Sequence, residues 1–169
     1  ARTNPGKMRY GSPGAGNIQH VTFEGWSKKL GIKLIHMPYA GANPAMAALL
    51  GGHIESTFTG LTEAMPHYKS GAVRIIAITA AKRVSLADVP TFKEQGHDLQ
   101  AGLWYGVLAP GSTPDPVINV LAEALKKAYD SPKVQDAWHK LFLIPEYLGP
   151  KEFEEKIKKQ AEENHKILK

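Results

Sequence analysis

The stretch Met8–His20, MRYGSPGAGNIQH, decides the fold. Met8–Gly11 predicts a short strand, Gly11, Gly14 and Gly16 punctuate a turn, and an amphipathic helix follows from Ile18. Glycine lets a backbone turn tightly with its N–H groups pointing inward. The first turn of a helix has unpaired N–H donors and a partial positive charge. The segment therefore fits two readings: a site for a small anion such as a carboxylate or phosphate, or an ordinary strand-to-helix turn.

Outward from this stretch, strand and helix signals alternate. The first helix spans Ile18–Leu30, with Ile18, Val21, Trp26 and Leu30 near one face and Gly31 placed to end it. Lys33–Met37 (KLIHM) predicts a strand and Pro38–Ala42 a loop. Asn43 is the expected cap of the next helix, which carries Pro44 in its first turn and closes at Gly51 and Gly52. Ile54–Phe58 predicts a strand, and Leu61–Lys69 a helix bent or delayed by Pro66. Val73–Thr79 (VRIIAIT) is the strongest strand signal, an apolar run of the kind buried on both faces of a parallel sheet. A loop over 81–90 and a helical turn at Thr91–Gln95 lead to a further buried strand at Gly102–Ala109 (GLWYGVLA).

Pro110, Pro114 and Pro116 then punctuate the chain. Thr113 is the expected cap of a helix reaching Tyr129, and Ser131 of the next, with Pro132 in its first turn. Ile144–Leu148 reads as a short extended segment, and Pro150 opens a last helix. That helix has Phe153, Ile157, Ala161 and Leu168 as an apolar stripe. Its Glu152–Lys156, Glu154–Lys158, Glu155–Lys159 and Glu162–Lys166 pairs mark a solvated face rather than a binding patch.

Repeated strand–helix–strand units predict an α/β fold with a mostly parallel sheet flanked by helices, plus C-terminal helices. Ligands of such sheets bind beyond the carboxyl ends of the strands. Three loops, 12–17, 38–43 and 57–62, leave strands there and enter helices. They are rich in Gly, Ser, Thr, Asn and Tyr and hold no ionised side chain, the composition of a pocket that grips a small solute with N–H groups and hydroxyls.

Composition sets bounds on function. The chain has 169 residues, 43% hydrophobic and 22% charged, enough for an ordinary domain with a core. No apolar run approaches membrane-spanning length. Cysteine is absent, which excludes disulfides and thiolate metal sites. The net charge of +5 is spread along the chain without an arginine-rich run or a basic stripe interleaved with aromatics, so nucleic acid is not an expected partner.

Catalytic constellations are missing. There is no G-x-S-x-G elbow, and the glycine run is neither a dinucleotide fingerprint nor a P-loop. The seven histidines (His20, His36, His53, His67, His97, His139 and His165) never pair at three- or four-residue spacing, so no metal or other cofactor is expected. Glu55 and Glu63 flank the third loop without a nucleophile or base to work with.

Taken in order, YGSPGAGNIQH, HMPYAGANPAMAALLGGHIESTFTG, VRIIAITAAKRVSLADVPTFKEQG and LWYGVLAPGSTPDPV resemble the substrate-binding proteins of tripartite tricarboxylate transporters, the Bug family. The match covers nearly the whole chain. It implies a lobe similar in fold to type II periplasmic binding proteins and a small carboxylate ligand held in a cleft between two lobes. It also implies a periplasmic location, no chemistry, and delivery of the solute to a membrane permease. The family's contacts map onto Ser12, Gly14, Gly16 and Asn17, then Tyr39, Ala40, Gly41 and Ala42. Where the family often has an aspartate after the strand's phenylalanine, Phe58 is followed here by Thr59; the expected ligand is accordingly a carboxylate without an amine.

The resemblance also implies a division of the chain. Residues 1–109 correspond to the family's second lobe and 110–169 to helices that pack on a first lobe, expected in the same or a separate chain. The apolar faces after Pro114, including Trp138, Leu141 and Phe142, are then expected to lack cover. The alternative is the small-acid-sensing domain of a transcription regulator, which shares the architecture but requires a helix-turn-helix. An enzyme of unassigned class and a purely structural module are the remaining readings.

Overall fold

The computed structural model describes residues 1–83, 88–99, 101–143 and 145–168, the side chains of 167 and 168 excepted. At its centre lies β1 (Arg9–Ser12), paired in parallel on one side with β2 (Ile35–Pro38) and on the other with β3 (Ser56–Thr57). Tyr10 faces His36 and Ser56 across the two ladders, and Gly11 faces Met37 and Thr57. Parallel neighbours require crossovers. Helix α1 (Ile18–Lys29) supplies the first, α2 (Ala42–Leu50) the second, and α3 (Leu61–Lys69) follows β3. The α/β class and the parallel sheet flanked by helices agree with the sequence.

The elements form for local reasons. Asn17 accepts the His20 N–H on its side chain and starts α1. Gly31, at φ +64°, takes the left-handed conformation beyond its end. Helix α2 starts two residues earlier than expected: Gly41 (φ +126°), not Asn43, sits at its N-cap, a conformation that a side chain would strain. Helix α3 runs over Leu61–Lys69 with Pro66 inside it. An aromatic chain lines α1, with Phe23 against Tyr10 (4.8 Å between centroids), Phe58 (5.3 Å) and Trp26 (5.2 Å). Tyr10, Val21, Ala45, Met46, Ile54 and Met65 are buried in the core.

Two strands read from the sequence are not formed among the described residues. In Val73–Thr79 only Ile78 bridges, in parallel, to Thr91, and Ile76 is 70% exposed. In Gly102–Ala109 no ladder forms, and Tyr105, Val107 and Leu108 are at least two-thirds exposed. Apolar runs of this kind become strands only when a neighbour and covering layers are present; the edge strand β3 offers just two residues. The expected loop over 81–90 falls partly, and the start of Ile144–Leu148 wholly, outside the described residues.

The chain divides into two compact units, one of residues 1–102 with 163–169 and one of 103–162. The second holds α4 (Asp115–Tyr129), α5 (Pro132–Lys140) and most of α6 (Pro150–Leu168). Pro114, not Thr113, flanks α4, and the Ser131 hydroxyl turns back to Ala128 O instead of capping α5. At α6, Glu152 accepts the Gly149 N–H, Lys156 pairs with Glu146, and Glu154 pairs with Lys158. Neither α4 nor α5 buries a residue, and Val117, Val120, Leu121 and Leu125 of α4 are exposed.

Gly11 is the tightest point of the sheet. A Cβ there would lie 2.6 Å from Ile54 Cδ1, 3.3 Å from Tyr39 Cε2 and 3.5 Å from Ala45 Cβ. Ile54 and Ala45 are both buried, so neither has room to yield, whereas Tyr39 is only half-buried. Gly11→Ala should cost about 1–3 kcal/mol through overpacking, read as a lower Tm in thermal unfolding; an unchanged Tm would contradict this packing.

Candidate functional site

The carboxyl ends of β1, β2 and β3 release the three polar loops on one sheet edge, and main-chain bonds stitch the loops together past the last strand residues. Tyr39 N–H donates to Ser12 O (3.0 Å), and Phe58 N–H donates to Gly11 O (3.1 Å). The Thr57 hydroxyl also donates to Gly11 O (3.2 Å). The loops are therefore held at fixed separations by the sheet's own hydrogen bonding.

Within the first loop the donors are spent on the loop itself. Ser12 is fully buried. Its Oγ accepts from Gly14 N–H (3.3 Å), donates to Gly14 O (3.0 Å) and lies 2.7 Å from His36 Nε2. A hydroxyl has one proton, so with that proton on Gly14 O the His36 Nε2–H is the donor to Ser12. Gly16 N–H donates to His20 Nδ1 (3.1 Å), and Asn17 Oδ1 is taken by His20 N–H. The sequence pointed to Gly14 and Gly16 as open amides. The structure makes them turn formers instead, at φ +156° and +78°.

Open donors lie next to them. Ile18 and Gln19 begin α1, where no helical acceptor exists, and their N–H groups have no partner among the described residues. The same holds for the N–H groups of Ala40, Gly41, Ala42 and Asn43 entering α2, and for Thr59 and Gly60 entering α3. In the third loop the Glu63 carboxylate folds against Gly60, 2.5 Å from where a Cβ would stand. That negative charge makes the third loop the poorest of the three for an anion. Thr59 Oγ1 is buried and unpaired.

Sequence reasoning missed two residues here. His20 and His36 are 16 positions apart, so spacing gave no sign of a pair. In the fold their rings stack with centroids 3.9 Å apart, 19° between planes. The parallel register places His36 opposite Tyr10, and the first turn of α1 brings His20 over it. Burial lowers the His36 pKa, the neighbouring His20 lowers it further, and Glu24 opposes both. Glu24 accepts from the Tyr10 hydroxyl (3.2 Å), and burial first, then Glu24, pushes the Tyr10 pKa well above the usual phenol range.

A family model described as the tripartite tricarboxylate transporter family receptor matches residues 1–169. The chain belongs to that receptor family. A relative from Cupriavidus necator, a UPF0065 protein in the gbd 5′ region, is 34% identical over 154 residues, covering 90% of this chain and 47% of its own. Among solved structures, one described as a periplasmic transporter superposes with a TM-score of 0.88 at 37% identity, over 99% of this chain and 56% of that one. An R. palustris protein solved with adipate superposes with a TM-score of 0.88 at 24% identity, over 99% and 56%, and shares the fold. The chain spans about half the length of the curated relatives it matches. Its family is one of solute-binding receptors, not enzymes, and the protein solved at 37% identity is periplasmic. No helix among the described residues is long and apolar enough to cross a membrane, and no metal-holding group of His, Asp and Glu occurs among them.

At the other end of β1 from the three loops, a clamp fixes the start of the central strand. Glu55 accepts from the Arg9 N–H (2.7 Å) and from both Nε and Nη2 of its guanidinium, while Glu55 N–H donates to Arg9 O. The Arg9 side-chain bonds, then the Arg9 main-chain bond, hold the Glu55 carboxyl at about 2, below its ordinary 4.5. A depressed folded-state value contributes stability above the unfolded pKa, lost as pH falls through the folded one. The Glu55 contribution should therefore be complete above pH 4.5 and disappear by about pH 2. Thermal unfolding across that window should show a smaller pH slope for Glu55→Gln than for the unmodified chain; equal slopes would contradict the clamp.

Proposed function

We propose that this chain is the solute-gripping lobe of a periplasmic receptor that holds a small carboxylate at the three-loop edge for delivery to a tripartite-type membrane permease. One observation carries this reading. Two adjacent helix starts, at Ile18–Gln19 and Ala40–Asn43, present unpaired main-chain N–H donors in loops without an ionised side chain. Helix N-termini favour anions through aligned dipoles and free N–H groups. Neutral loops let those donors reach the oxygens without competition from a local carboxylate, except near Glu63. Membership of the receptor family supports the same assignment.

Of the residues that the resemblance marks, Ala40, Gly41 and Ala42 serve as donors. Ser12, Gly14, Gly16 and Asn17 shape the first loop, Tyr39 ties the second loop to it, and Thr59 offers a hydroxyl. With Thr59 following Phe58, the aspartate that the family often has at this position is missing, and the one carboxylate near the loop, Glu63, is folded against Gly60 at the start of α3; we take this to favour an acid without an amine. The other half of such a receptor, in the same or another chain, closes the cleft. The exposed apolar side chains of α4 and of residues 103–108 are the surface assigned to it. With half the cleft, the chain alone binds weakly.

Ala42 allows a clean test. It is the first residue of α2, a position where proline is at home because the helix does not use that N–H. Ala42→Pro removes one donor and leaves the helix intact. Titration calorimetry with adipate should show a loss of about tenfold or more, the scale of one hydrogen bond to a charged group, with Tm retained. Adipate binding unchanged in Ala42→Pro, or absent from the unmodified chain at millimolar concentration, would overturn the assignment.

A further inference from the structure

The stacked imidazoles do something that a loop scaffold alone does not need. Gly16 N–H donates to His20 Nδ1 at 3.1 Å. A neutral imidazole accepts on one nitrogen only, so His20 carries its single proton on Nε2. The next proton can enter only at Nδ1, the atom that holds the loop. The structure thus places the binding of a proton and the anchoring of Gly16 on one lone pair.

We propose that the His20–His36 stack is a proton-operated latch on the glycine-rich loop: a proton taken from solvent onto His20 Nδ1 breaks the bond from Gly16, frees that amide and puts a positive charge beside the loop, so that acidification tightens its hold on a carboxylate. This rests on the carboxylate-site reading above. The proton adds to a lone pair, and only the Gly16 hydrogen bond is lost. Two imidazolium rings 3.9 Å apart repel, so the pair takes one proton. Burial disfavours charge on His36, and its Nε2–H stays engaged with Ser12 Oγ. The titratable groups facing the pair are Glu24 from α1, Tyr10 from β1 and each histidine's partner ring from β2 or α1. The Glu24 carboxylate favours charge on His36, against the effects of burial and of the neighbouring ring, and the Tyr10 ring lies 4.9 Å from His36. Imidazole is the side chain whose charge changes between pH 5 and 8.

The whole chain, labelled with ¹⁵N and ¹³C, reports the latch with no ligand added. The Gly16 amide shift and its hydrogen-exchange rate should follow the titration of the His20 ring between pH 8 and 5, with the same midpoint. In His20→Phe, which keeps a ring for stacking but has no acceptor, the Gly16 amide should be exposed and independent of pH. Adipate should bind the unmodified chain about two- to fivefold tighter at pH 5.5 than at pH 7.5, the scale of a charge at a helix start, and His20→Phe should lose that difference. A Gly16 amide that ignores the His20 titration overturns the latch. An amide that follows it while adipate affinity stays flat overturns its coupling to the ligand. Should adipate bind at neither pH, the carboxylate-site reading fails, and the latch itself stands or falls on the amide.

Discussion

Everything at the candidate site depends on one strand having two parallel neighbours. Arg9–Ser12 is buried from Tyr10 onward and bonded on both edges. Its carbonyls at Gly11 and Ser12 continue the pairing past the strand ends, taking the Phe58 and Tyr39 amides. Three loops that are distant in sequence are thereby fixed within hydrogen-bonding distance of a common backbone. Gly11 makes this possible, because any side chain there would displace Ile54 or Tyr39. The Arg9–Glu55 clamp then secures the entry of the strand where it leaves the core.

The proposed site relies on main-chain polarity, and the first loop shows its cost. A glycine-rich turn cannot both hold its own shape and offer every amide. Ser12 and His20 take the Gly14 and Gly16 amides and make the turn rigid. The donors left over are those which helix geometry leaves unpaired, at the starts of α1 and α2. Rigid donors with no ionised neighbour suit a permanent anion, because they need no reorganisation and no compensating charge. Glu63 at the start of α3 sets a negative charge against Gly60 in the third loop, the side of the proposed site least suited to an anion.

Much of this was legible in the sequence. The alternation of short β-type runs with amphipathic segments gave the α/β class, and Pro, Gly and Asn punctuation placed α1, α2 and α3 within a few residues. The three loops were identified by composition as one polar edge. Burial of Val73–Thr79 and Gly102–Ala109 was misread because an apolar run specifies appetite for a sheet, not the presence of a neighbour. Ile76 and Tyr105 instead stand exposed. The His20–His36 stack was out of reach for a different reason: it is produced by the β1–β2 register and the path of α1, and neither histidine has a local partner in the chain. The sequence gives no sign that Ser12 and His20 fold back onto the Gly14 and Gly16 amides.

In the proposed site, main-chain amides and no lysine or arginine grip the acid. The most direct measurement is a crystal structure of the chain grown with adipate. The expected result is a carboxylate whose oxygens lie about 2.7–3.2 Å from the amide nitrogens of Ala40–Asn43, beside the start of α1. A carboxylate held elsewhere by lysine or arginine, with those amides facing only solvent, would contradict it.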